Sequence, residues 1–118
     1  MIPLVRVLDE HVGATAVATI DGEIDASNAG DVAARLRGAL TNHSFALVVD
    51  LAATTYIDSA GINELFALEA ELRQRRQALH LVVLPASPIA RVLAITGMER
   101  SIAIHADRAA ALQAAAAG

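Results

Sequence analysis

Ser59 lies in "YIDSAGIN", Tyr56 to Asn63, where an apolar run ends and an amphipathic pattern begins. A hydroxyl at such a handover has three uses. It can cap a helix, accepting from backbone N–H groups that lack partners; Ser and Asp are both favoured for this. It can serve as a nucleophile if a base activates it. It can also accept a phosphate, because a helix N-terminus offers N–H groups and the positive end of the dipole to an anion. Capping is the commonest of the three. The nucleophile is the weakest, because a nucleophile elbow carries Gly two residues before the Ser and that position holds Ile57. None of His11, His43, His80 and His105 has a recognisable place beside Ser59. A serine hydrolase is therefore disfavoured, and the chain is read as a non-enzyme.

Helical spacing shows what a phosphate on Ser59 would disturb. Ser59, Asn63, Phe66 and Ala70 follow one another at i, i+4, i+7 and i+11, so they share a face. That face lies largely off the stripe of Ile62, Leu65, Leu68 and Leu72. Phe66 is one of two Phe residues in the chain. It belongs either to the edge of the core or to an exposed docking surface beside the hydroxyl.

A second cluster is "GEID", Gly22 to Asp25. Its commonest meaning is a solvated turn. Its functional meaning places Glu23 and Asp25 at strand tips close to Asp58, where carboxylates meet a partner's basic residues or a hard cation. Nothing fixes the spacing of a metal site, and none is expected. The histidines show no ligand spacing and are read as surface or strand-end residues. There is no G-x-x-x-x-G-K-[ST] loop, and no cofactor is expected.

The elements that must hold these groups alternate in period. Pro3 to Leu8 and Ala14 to Ile20 read as a hairpin, with "DEHVGA" as its turn. Val32, Leu36 and Leu40, with Ala33 and Ala39, mark a first helix capped by Ser27 or Asn28. "FALVVDLA" (Phe45 to Ala52) is a continuous apolar run suited to a strand buried on both faces. A second helix runs from Ser59 to about Arg76, with "RQRRQ" placing cations at its C-terminal end. Leu79 to Leu84 is another strand. Ser87 as cap, Pro88 at the first helical position and Gly97 as the stop frame a third helix. "SIAIHA" and "DRAAALQAAAAG" close the chain as a strand and an Ala-rich helix, with Asp107 near the helix start and residues 113–118 expected to fray. The order β-β-α-β-α-β-α-β-α predicts a single α/β domain over 1–118: a mixed, mostly parallel sheet with an N-terminal hairpin and about four helices.

Bulk properties narrow the function. The chain has 118 residues, 55% hydrophobic but only 3% aromatic, so its core is aliphatic and Ala-rich. A formal charge of −4 argues against direct nucleic-acid binding, which needs a basic patch. Cysteine is absent, which removes disulfides and thiolate chemistry. The N-terminus lacks the pattern of a signal peptide, and no apolar run reaches the ~18–20 residues of a membrane span. A cytoplasmic protein without membrane insertion is expected.

Three segments together resemble one family. "GEID", "VVDLAATTYIDSAGI" and "PASPIARVLAITGMER" are similar, in order and spacing, to the STAS domains of bacterial anti-sigma factor antagonists, from about Val5 to Ala111. The resemblance implies a regulatory module that binds an anti-sigma factor which is also a serine kinase. That kinase phosphorylates the serine after the Asp of the D-S-[ST]-G motif and so switches the antagonist off. Carried over, Ser59 is the phosphorylation site and Asp58 its supporting acid. Asp25 and Glu23 match the acids nearby, and Asn63 and Phe66 complete the partner-binding face. ATP and Mg²⁺ belong to the partner, and the chain itself is expected as a monomer or weak dimer. Ala60 replaces the usual Ser or Thr, Asn63 stands where Gly is common, and "RRQA" replaces a frequent Gly-Gly turn. The alternative within the family is a non-switching scaffold or ligand-sensing module, for example one associated with a transporter.

Overall fold

The computed structural model describes residues 4–117. Strands β1 (Val5–Val12) and β2 (Thr15–Ile24) form the antiparallel hairpin. Its turn is shorter than expected. Asp9 to Val12 continue β1 and pair with Ala18 to Thr15, leaving Gly13 and Ala14 as the link. Gly13 has φ +60°, the left-handed conformation a two-residue hairpin asks of its first residue. Polar residues continue the strand because β1 is an edge with most of its side chains exposed. Pro3, expected in the hairpin, lies outside the described residues.

The remaining strands are parallel to β2. The main path of the sheet runs β1-β2-β3-β5-β6, with β3 at Ala46–Asp50, β5 at Ala78–Val82 and β6 at Ala103–His105. All five residues of β3 are buried, as a continuous apolar run in a covered parallel sheet should be. A sixth strand, β4 (Thr54–Ile57), is an addition to the expected order. It pairs with β2 at Gly22, Glu23 and Ile24, beyond the five residues, Thr15 to Thr19, that pair with β3. Two short strands thus share one edge of β2 in succession. β4, with four residues, is too short for its periodicity to separate it from the loop before it.

Helices α1 (Ala29–Ala39), α2 (Ser59–Gln74) and α3 (Pro88–Thr96) cover one face of the sheet. Ile62, Leu65, Leu68 and Leu72 of α2 are all buried, as their spacing requires. Ser87 accepts from Ala90 N–H, Pro88 opens α3 and Gly97 ends it at φ 72°. Asn28 is the cap position of α1, but its side chain reaches backward, accepting from Asp25 N–H and donating to the Glu23 carbonyl.

The opposite face carries only α4 (Arg108–Ala116), capped by Asp107 through Ala110 N–H. Val17, Ala46, Val48 and Val82 alternate with residues of the larger core and pack there against Ala111 and Ala115. The Ala-rich end therefore packs more than its composition suggested: the helix continues through Ala116, and Ala115 is buried. Gly118 lies outside the described residues.

Candidate functional site

The two acidic loops meet at the C-terminal ends of β2 and β4. Both strands end in buried isoleucines, Ile24 and Ile57, at paired positions, and an Asp follows each. Gly22 shapes this end. It sits at φ +120° and at a register shift in the β2–β4 ladder. Gly22 and Glu23 are consecutive in β2 but pair with Thr54 and Tyr56, so Thr55 is the extra residue and the bulge lies in β4, just before Asp58.

Asp58, not Ser59, caps α2. Asp58 Oδ1 accepts from Ala60 N–H at 2.9 Å and from Gly61 N–H at 3.2 Å. Its other oxygen accepts from Ala26 N–H at 3.1 Å, tying the loop after β2 to the start of α2. The carboxylate wins the cap because it sits one residue before the first helical position, in extended backbone, with an oxygen free to turn onto the N–H groups. Ser59 is the first helical residue, and those donors are taken by Asp58 rather than by its hydroxyl. It is exposed and forms no hydrogen bond among the described residues. The expectation that Ser59 acts as the cap is corrected accordingly.

Ser59 opens onto a shallow groove between α2 and α3. Asp58, Ser59, Asn63 and Phe66 line one side, with Tyr56 at its end and Val92 and Thr96 opposite. Asn63 is exposed and Phe66 is half-buried, packing one edge against the core. The structure thus brings four of the six expected residues into one groove. Asp25 stands one step away. Its carboxylate accepts from the Ser27 hydroxyl and Ser27 N–H, which hold it below the usual carboxylate range. Glu23 pairs across the ladder with Tyr56 and is exposed. Tyr56, Val92 and Thr96 were not expected here. Val92 and Thr96 lie at i, i+4 and so share a face of α3, but the sequence does not say that this face meets α2.

Removing the cap has a defined cost. Asp58→Ala loses three accepted hydrogen bonds at the site and is expected to destabilise the fold by about 1–2 kcal/mol, against about 0.5 kcal/mol for Asp58→Asn, which retains an acceptor oxygen. Urea unfolding of both variants measures this. Equal losses would mean that the charge, not the cap geometry, holds the helix end.

His11 and His43 are exposed and His105 is the last residue of β6, in line with surface or strand-end positions, whereas His80 lies within β5. His80 and His105 are both partly buried and adjacent, with Nδ1 of His80 3.0 Å from Nε2 of His105 and ring centroids 5.2 Å apart. They are diagonal neighbours across β5 and β6, a relation visible only once the strand register is known. Burial, then the neighbouring imidazole, pushes the His80 pKa down. Among the described residues no group of three or more His, Cys, Asp or Glu side chains is placed to hold a metal ion. No described helix is long and apolar enough to cross a membrane.

Comparison with known proteins follows this geometry. A family model described as "Mlab, STAS domain" matches residues 7–106. A comparison with curated proteins finds no match. An anti-sigma factor antagonist from Mycobacterium paratuberculosis superposes with a TM-score of 0.84 at 23% identity, covering 94% of this chain and 93% of its own. The Bacillus cell fate determinant SpoIIAA in its phosphorylated form gives a TM-score of 0.60 at 19% identity, covering 89% of this chain and 96% of its own. SpoIIAA in its unphosphorylated form gives 0.62 at 19% identity, covering 85% and 87%.

Proposed function

This chain belongs to the STAS-domain family, and from that premise we propose that it is a protein-binding regulator, an anti-sigma factor antagonist whose docking is ended by phosphorylation of Ser59. The observation that carries the proposal is the free Ser59 hydroxyl. Because Asp58 does the capping, modifying Ser59 leaves the helix end intact. The hydroxyl is exposed and borders a groove of mixed character, with Phe66, Val92 and Ile62 for apolar contact and Asn63 and Thr96 for hydrogen bonds. Similarity in fold to anti-sigma factor antagonists supports the partner class.

Electrostatics explains how a phosphate would act. The N–H groups of Ala60 and Gly61 are already taken by Asp58. A phosphate on Ser59 therefore gains the dipole's positive end but not those two donors, and projects outward beside the Asp58 carboxylate. It brings about −1.5 to −2 charges at neutral pH. A partner packed over the groove must then bury that dianion without a ready counter-charge, which is costly. In this reading the partner is an anti-sigma factor with serine kinase activity. It supplies ATP and Mg²⁺, while Asp25, Glu23 and Asp58 give the rim its negative charge. The chain itself performs no catalysis.

The test is a binding titration of wild type, Ser59→Ala and Ser59→Asp with the cognate kinase. Wild type and Ser59→Ala should bind alike, and Ser59→Asp at least about tenfold more weakly. Equal affinity for all three would remove the switch and leave a STAS scaffold.

A further inference from the structure

At the other end of α2 the surface changes sign. In a chain of formal net charge −4, four arginines gather there against two carboxylates. Arg37 Nε donates to Glu71 Oε2 at 2.7 Å. Arg73 and Arg75 approach Glu69 and Glu71 only to 3.7 and 3.9 Å, with side chains 71% and 65% exposed. Arg76 forms no ion pair among the described residues.

Complementing the helix dipole accounts for a cation in the last turn, such as Arg73. It does not account for Arg76. That residue follows the helix at φ 58°, in the left-handed region, where Gln77 N–H returns to the Leu72 carbonyl at 2.9 Å. This is the closure in which glycine is usual, and a side chain there is strained. Strain held at an exposed cation points outward, to something the cation meets. Beside it is Phe45, 72% exposed, immediately before β3. Phe45, Arg73, Arg76 and Gln77 line one shallow groove, and Arg37, Arg75 and Gln77 line a second, so the two are continuous through Gln77.

We propose that this pole docks an acidic, extended segment of a partner protein, its carboxylates on Arg73, Arg75 and Arg76 and an apolar side chain against Phe45. Charge complementarity selects an acidic occupant, and guanidinium groups match carboxylates bidentately. Two grooves meeting at one residue follow the path of a chain better than the plane of a bilayer. The 16 residues of α2 span about 24 Å at 1.5 Å each, so this surface is separate from the Ser59 groove and both can be occupied together.

The experiment is fluorescence anisotropy of the full chain with a labelled decapeptide of Asp and Glu carrying two central Leu residues. Wild type should bind it saturably, and more weakly as salt rises from about 50 to about 300 mM. Arg76→Gly should weaken binding about tenfold and Phe45→Ser about fivefold. Arg76→Gly suits its turn and should melt above wild type, so its loss of binding is not unfolding. Ser59→Asp should bind the peptide like wild type, which separates this surface from the proposed switch. Absence of saturable binding, Arg76→Gly binding as tightly as wild type, or preference for phosphatidylserine vesicles or a single-stranded oligonucleotide over the peptide would each overturn the proposal.

Discussion

Gly22→Ala, the addition of one methyl group, is expected to lower the unfolding free energy by roughly 3–4 kcal/mol. Two independent costs combine. At φ +120° an L side chain is strained whatever space surrounds it. The added Cβ would also lie 2.1 Å from the Leu4 carbonyl oxygen, far inside van der Waals contact. That carbonyl cannot simply retreat, because it accepts from Glu23 N–H at 2.8 Å, and Gly22 N–H is itself held by the Ala53 carbonyl. A loss of this size removes a large part of the ~5–15 kcal/mol that holds a domain together and should lower the melting temperature by roughly 12 °C. Gly38→Ala is the control. It sits in α1 with nothing within 4 Å of its added Cβ, and should be stabilising by about 0.5–1 kcal/mol. Thermal and urea unfolding of both proteins decides. A Gly22→Ala protein within about 1 kcal/mol of wild type would show that Leu4 yields, and that the Gly22 conformation is not fixed by this contact.

The same glycine shows where sequence reading succeeds and where it stops. "GEID" stood out as a cluster, and its place near Asp58 was legible, because a strand end and a helix start of similar spacing must converge in a parallel sheet. The reason for the glycine was not legible. It depends on Leu4, eighteen positions upstream in sequence, meeting the second strand across the hairpin. Local signals were read well where the physics is local. Ser87, Pro88 and Gly97 frame α3 as their types demand, and the Ile62 to Leu72 stripe is buried. β4 was missed because four residues that borrow their pairing from the end of β2 carry no period of their own. The contact between His80 and His105 was not legible because it is set by strand register.

The cap at α2 is the subtler case. Ser and Asp are nearly equal as capping residues, so "DS" leaves the boundary open by one residue. That one residue decides the chemistry. Had Ser59 been the cap, its hydroxyl would be engaged with backbone N–H groups, and modifying it would cost the helix its start. With Asp58 in that place, the hydroxyl is exposed and takes no part in capping the helix.

Arg108 is the remaining residue on which a whole element depends, and Arg108→Met is expected to destabilise the fold by about 2–3 kcal/mol. α4 has nine residues, below the ~12–15 at which an isolated helix is even marginal. Its buried contacts are small: Ala111 and Ala115, with Leu112 at the edge. Arg108 reaches across three strands to anchor it. Nε donates to Asp50 Oδ2 at 3.0 Å, and one Nη lies 2.9 Å from the same oxygen as an ion pair while donating to Thr19 Oγ1 at 2.5 Å. The other Nη meets Glu10 at 2.6 Å. These bonds are not equal. Glu10 is half exposed, and such a pair contributes little. Asp50 is buried within β3, and without Arg108 its carboxylate keeps only the N–H of Ala52. Arg108 itself is partly exposed, which holds the expected loss below that of a fully buried pair. Methionine retains the stem and removes only the guanidinium, so the variant isolates the polar clamp from its packing. Adding Asp50→Asn should recover part of the loss, because the stranded charge is gone. The double-mutant cycle should give a coupling of about 1–2 kcal/mol. Hydrogen exchange should show α4 amides losing protection while α2 and β3 keep theirs, since α4 alone covers its face of the sheet. Additive losses, or uniform loss of protection through the chain, would mean that α4 is held by its alanines and that the clamp is incidental.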